Sequence, residues 1–148
     1  MKKSFVKFFA ATLLAIAAFA ASAQQTNSGN ITTTILASAA RTAATVTSPD
    51  FTNNQWRGII IILNVSVATA GNYTITIQGK DPVSGNYYPI LTGAAVSTVS
   101  TNVYTIYPGT TAAANVSAST VLPRIWRVSL AGAASQNLTF SVAGYLIQ

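Results

Sequence analysis

The chain has no cysteine, no histidine and no glutamate, and only two aspartates, Asp50 and Asp81, among its 148 residues. Each absence removes a class of chemistry. Without cysteine there is neither a disulfide nor a thiolate metal site. Without histidine there is no Ser–His–Asp arrangement and no zinc spacing. A paired-carboxylate glycosidase would need both aspartates at one site, one of them in surroundings that raise its pKa. Each aspartate instead sits in a turn sequence, Ser48-Pro49-Asp50 and Lys80-Asp81-Pro82, where the side chain commonly bonds its own backbone. A Ser–Lys dyad would have to rest on Lys80, beside the second turn. Calcium would find one carboxylate, which makes a weak site, and no phosphate-binding glycine loop is present. The expectation is a protein that is not an enzyme and holds no cofactor or metal.

Charge is scarce. Eight Lys and Arg stand against the two aspartates, but Lys2, Lys3 and Lys7 lie at the N-terminus. Residues 24–148 keep five cations, Arg41, Arg57, Lys80, Arg124 and Arg127, against Asp50 and Asp81, a net of +3. With so few charges and many Ser, Thr, Ala and Asn residues, the surface should be neutral and polar, or covered by neighbouring subunits.

The first 23 residues read as a signal peptide. Basic Lys2, Lys3 and Lys7 precede an apolar stretch, Phe8 to Ala21, and Ala21-Ser22-Ala23 gives a small-x-small site with cleavage between Ala23 and Gln24. The apolar stretch is about 14 residues, short of the roughly 20 that span a bilayer. The product would be exported, periplasmic or extracellular, with no membrane span after cleavage. Residues 24–30 form a polar tail, and 31–148 a single domain, as the length implies.

Within that domain, side chains alternate with a period of two. Tyr73, Ile75 and Ile77 oppose Thr74, Thr76 and Gln78; Trp126, Val128 and Leu130 oppose Ile125, Arg127 and Ser129; Leu138, Phe140 and Val142 oppose Thr139, Ser141 and Ala143. Alternation of this kind marks half-buried strands. Ile59-Ile60-Ile61-Ile62-Leu63 does not alternate, which predicts a central strand covered on both faces. Turn signals at Ala70-Gly71-Asn72 and Asp81 to Asn86 separate apolar runs. Strands are expected near 31–36, 42–47, 57–67, 72–80, 86–92, 102–107, 124–131 and 137–147. Seven to eight short strands at this spacing argue for an all-β, antiparallel β-sandwich, immunoglobulin-like or jelly-roll-like, preceded by a signal-peptide helix. An outer-membrane barrel fits less well, since most of these strands fall short of 9–11 residues and no aromatic girdles appear. Two strand–turn–strand segments, one opened by Trp56-Arg57 and one by Trp126-Arg127, resemble each other as amphipathic hairpins.

Binding readings rest on few residues. Pro123-Arg124-Ile125-Trp126-Arg127 is the nearest approach to a nucleic-acid signature, but Arg124 and Arg127 fall on opposite faces of a strand, so no basic stripe forms and no nucleic acid is expected. The arginines fit better as covers for a tryptophan ring or as partners of Asp50 or Asp81 at a sheet edge. Tyr87 and Tyr88, with Trp56 and Tyr104, are the candidate glycan- or partner-binding residues. They could stack on sugar rings or cap the core with their hydroxyls in water.

Three stretches occur in order: Ile77-Gln-Gly-Lys-Asp-Pro-Val-Ser-Gly-Asn-Tyr-Tyr88, Val103-Tyr-Thr-Ile-Tyr-Pro-Gly109, and Ala114 to Val128 with its Leu122-Pro-Arg-Ile-Trp-Arg127 string. Together, over roughly residues 55–147, they resemble small uncharacterised virion-associated proteins of tailed bacteriophages. The resemblance implies a β-sandwich on the virion surface, as a decoration or minor structural component. It implies protein partners, either capsid or tail or further copies of itself as a homo-oligomer, and carries no functional residues across. Virion proteins assemble in the cytoplasm, which an export leader contradicts. The alternative is a secreted carbohydrate-binding or adhesin-like surface module.

Overall fold

The computed structural model describes residues 29–132 and 135–148. The expected signal-peptide helix, its Ala23–Gln24 junction and most of the polar tail lie outside the described residues. Ten strands run through the described chain: β1 (Ile31–Arg41), β2 (Thr45–Thr47), β3 (Phe51–Thr52), β4 (Gly58–Ala70), β5 (Tyr73–Lys80), β6 (Tyr87–Val96), β7 (Ser100–Ile106), β8 (Ser117–Ala118), β9 (Ile125–Gly132) and β10 (Asn137–Ile147). Each expected strand has a counterpart, and β3 and β8 are two-residue additions. β10 has the expected bounds, but β1, at 11 residues, and β4, at 13, are longer than the sequence pattern implies. In β1 the alternation is interrupted by register shifts between Thr34 and Leu36 and between Leu36 and Ala39. Adjacent Ile35 and Leu36 are both buried there, so period-two reading loses the strand at that point.

The strands make two sheets. The first has the order β1-β10-β4-β7-β8; the second has β2-β9-β5-β6, with β3 also pairing β9. Every pairing is antiparallel except the short one between β7 and β8. The alternating apolar residues of β4, β5, β9 and β10 form one buried cluster with Ile35, Leu91, Tyr104 and Ile106. At roughly 1.5–3 kcal/mol for each fully buried large apolar side chain, this cluster is the main stabilising term. Two antiparallel-dominated sheets around one core fit a β-sandwich.

The two expected hairpins are not hairpins. β4 lies in the first sheet and β5 in the second, so Gly71 and Asn72 carry the chain across the gap between sheets; β9 and β10 make the same crossing in the opposite direction. The two arches lie side by side, since β4 pairs β10 and β5 pairs β9. Buried Gln136 joins them by accepting the Asn72 N–H at 2.7 Å. Gly71 has a φ of +78° at this crossing, a left-handed conformation that glycine adopts at least cost.

A second expectation is corrected at the isoleucine run. Ile59, Ile61 and Leu63 are buried, but Ile60 and Ile62 face outward and are only half-buried. The second face of β4 is therefore partly open, because nothing in the described chain packs over it.

Candidate functional site

The four candidate aromatics do not form one platform. Trp56 is buried in a loop where Asn53 organises the backbone. The Asn53 amide donates to the carbonyls of Trp56 and Leu122 at 2.8 and 2.9 Å, and its oxygen accepts the Trp56 N–H at 2.8 Å. Tyr104 of β7 is also buried, its ring crossing the core to Gly93 of β6. Burial pushes its phenol above the usual tyrosine range. Tyr88 is 46% exposed, and its ring sits over Gly79, where a Cβ would meet Tyr88 Cζ at 2.5 Å and Pro123 Cγ at 2.9 Å. Gly79 occupies a core-facing position of β5. Tyr87 pairs with Lys80 on the other face, as strand alternation requires.

Tyr87 belongs to a polar cluster on the outer face of the second sheet. Its hydroxyl donates to Asp50, 2.7 Å from Oδ1 and 2.9 Å from Oδ2. Lys80 Nζ donates to the same carboxylate at 2.9 Å. The guanidinium of Arg127 lies over the Tyr87 ring, 3.2 Å from its centroid, and Lys80 Nζ is 5.2 Å from that centroid. Arg127 Nε also donates to Gln78 Oε1 at 2.8 Å. Strand order explains the grouping. β5 lies between β6 and β9, so Lys80 stands opposite Tyr87 and Gln78 opposite Arg127. Asp50 reaches them from the segment between β2 and β3 on the far side of β9.

The Lys80 and Tyr87 hydrogen bonds hold the Asp50 carboxyl below the ordinary value of 3.8, and the Asp50 bond raises Lys80 above 10.5. Both side chains are about a third exposed, at 31% for Lys80 and 34% for Asp50. An ion pair so placed is screened by water and salt and adds little to stability. Chemically, the cluster is a clasp. Its carboxylate is spent on two donors, and a sugar stacking on the Arg127 side of Tyr87 would have to displace the guanidinium. Arg127 does cover an aromatic ring, but the ring is Tyr87 and not a tryptophan. Trp126 turns inward and stacks on Phe51 at 4.8 Å.

Asp81 stands apart and stabilises its own turn. It accepts the Val83 N–H at 3.0 Å and the Ser84 hydroxyl. These bonds, the Ser84 one first, hold its carboxyl below 3.8. The two aspartates thus have separate partners. Among the described residues no group of His, Cys, Asp and Glu could hold a metal ion.

A different surface emerges on the first sheet. Ile60 stands between Tyr145 of β10 and Thr105 of β7, and Ile62 between Ala143 and Val103. Tyr145 is 43% and Val103 49% exposed. Arg41 is the only charged residue in the five strands of this sheet, and its guanidinium lies over the ring of core residue Phe140. The outer face therefore presents an apolar row with no charged side chain. The sequence signal was the uninterrupted isoleucine run, which pointed to cover on both faces without saying what supplies the outer one.

Comparison with known proteins yields no matching family, no similar curated protein and no similar solved structure. The functional reading rests on this chain's own geometry.

Proposed function

We propose that the chain is a non-enzymatic interaction module, a jelly-roll β-sandwich that joins a larger exterior structure through the outer face of its first sheet. The observation that carries this reading is the uncharged apolar row of Ile60, Ile62, Val103 and Tyr145 on an open face. Monomeric proteins seldom leave contiguous apolar patches open, and those that exist commonly mark interaction sites.

Strand order supports the jelly-roll assignment. If β2 and β3 count as one interrupted strand and the two-residue β8 is set aside, eight principal strands divide four and four between the sheets. Every connection between them crosses the core except the β5–β6 hairpin. Double-sheet jelly rolls with two Greek keys serve in viral capsids and in lectins, among other roles. Architecture alone does not choose between roles. The absence of His, Cys and Glu supports a non-catalytic role. The Arg127 guanidinium over Tyr87 favours a protein partner over a sugar at that ring.

In the virion version of this reading the partner is a capsid or tail surface, and export is replaced by cytoplasmic assembly. In the exported version the partner is a cell-surface structure. The decisive experiment substitutes Ile62→Asp together with Val103→Asp in the natural producer. Both residues point outward, so the fold should survive. Mass spectrometry of purified particles and surface fractions should find the wild-type chain in one of them and the double variant in neither. Undiminished incorporation of the double variant would overturn the reading.

A further inference from the structure

The edges of the two sheets are not equally protected. In the second sheet one edge is made of β2 and β3, three and two residues long. The other, β6, carries Pro89 and two register shifts against β5. In the first sheet β8 covers part of the β7 edge. Short strands, proline and bulges are the devices by which natural sheets avoid pairing with other chains.

The remaining edge, β1, has no proline and no charge before Arg41; its two register shifts lie beyond Thr34, which leaves the stretch from Ile31 to Thr34 in unbroken register with Leu146 to Ala143. Among the described residues nothing pairs with its other side, which offers a row of backbone donors and acceptors to any strand of matching length. Ile31 at the start of that stretch is 42% exposed, whereas Ile35 four residues on is 4% exposed.

We propose that β1 is a dimerisation edge, and that its occupant is β1 of a second copy running antiparallel. The same segment in opposite directions is self-complementary, which is what a two-fold interface needs. Residues directly opposite in an antiparallel pair share a face, and this fixes the parity of the register. A two-fold axis at Thr33 satisfies it. Thr32 then lies opposite Thr34 of the second copy, twice, on the outer face where both threonines are exposed. Ile31 lies opposite Ile35 of the second copy on the inner face, which covers the exposed isoleucine. The two first sheets join into one, and their apolar outer faces become neighbours. This inference stands on the edge and not on the outer face, so the two readings fail separately.

The test is sedimentation equilibrium of the chain as an exporting host delivers it, over a range of concentrations. Wild type should show a monomer–dimer equilibrium. Thr32→Lys with Thr34→Lys sets like charges opposite each other at two places and should weaken the dimer about tenfold or more. Thr32→Lys with Thr34→Glu sets opposite charges in the same places and should restore it. Thermal melting by circular dichroism should show all three folded, because both positions are exposed. Ile62→Asp with Val103→Asp should leave the dimer intact. A monomer at every concentration, a dimer indifferent to the double lysine variant, or no recovery with the Lys/Glu pair would overturn the proposal.

Discussion

Arg127 lies over the ring of Tyr87, its guanidinium carbon 3.2 Å from the ring centroid, while the hydroxyl of that ring donates to Asp50. The contact joins β9 to β6 across β5, and Asp50 extends it beyond β9. Cation–π contacts near a surface are worth about 0.5–1 kcal/mol. Tyr87→Leu and Arg127→Met should each cost about 1 kcal/mol. The double variant should cost less than their sum by about 0.5 kcal/mol, measured by urea unfolding as a double-mutant cycle. Strict additivity would mean that the ring and the guanidinium are not coupled.

The pH profile should be a plateau with two edges. Asp50 and Asp81 are held below 3.8 in the fold. Their contribution is present above the unfolded value and is lost as pH falls through the lower folded values. Lys80 is raised above 10.5 by Asp50, and burial raises Tyr73 and Tyr104 above 10.0. Their contribution is present below the unfolded values and is lost as pH climbs through the folded ones. With no histidine or cysteine, no side chain has an ordinary pKa between about 5 and 9. The melting temperature should stay level across that range, fall below about pH 4 and fall again above about pH 10. A step near pH 6.5 would contradict this account.

Gly93→Ala should be costly. A Cβ there would meet Tyr104 Cε1 at 2.5 Å and Ile75 Cγ2 at 2.8 Å, both buried core side chains. Overpacking of this kind costs about 1–3 kcal/mol, read from the urea midpoint. Gly85→Ala meets no atom within 4 Å but sits at a φ of +73°, so its cost is the left-handed penalty alone, about 1 kcal/mol. Equal effects at the two sites would mean that the sheets yield readily.

Much of the fold was legible in the sequence, because a half-buried strand writes its two faces into adjacent residues. Tyr73 to Gln78 and Leu138 to Ala143 needed no partner to be recognised. The arches were not legible. Ala70-Gly71-Asn72 has the same composition whether it closes a hairpin or crosses between sheets, and the choice depends on which distant strand the core side chains meet. The clasp was hidden for a similar reason. Tyr87 and Arg127 are 40 positions apart in the chain, and only the placement of β5 between their strands brings them together. Trp56 and Tyr104 stood out as aromatics, but composition could not show that both are buried.

Gln136→Ala tests the junction of the arches. Gln136 is 3% exposed and its carbonyl oxygen accepts the Asn72 N–H. Leaving a half-buried donor unsatisfied costs about 1–3 kcal/mol. Hydrogen exchange should show the Asn72 amide losing protection more than the amides of β5. A uniform loss of protection across the sheet would argue for general loosening and against a local bond.

Among the described residues β1 has one partner, β10, which begins at Asn137, 96 positions beyond Arg41. β10 also separates β1 from β4, so it is an interior strand of the first sheet and comes last of the ten in chain order. A nascent chain cannot pair β1 with β10 until synthesis has passed through β2 to β9. Closure of the sandwich is therefore a late event, and a chain truncated before Asn137 would leave β1 and one side of β4 without hydrogen-bonding neighbours. Such long-range pairing makes folding slow, and the threonine-rich opening strand stays available to other chains for that interval.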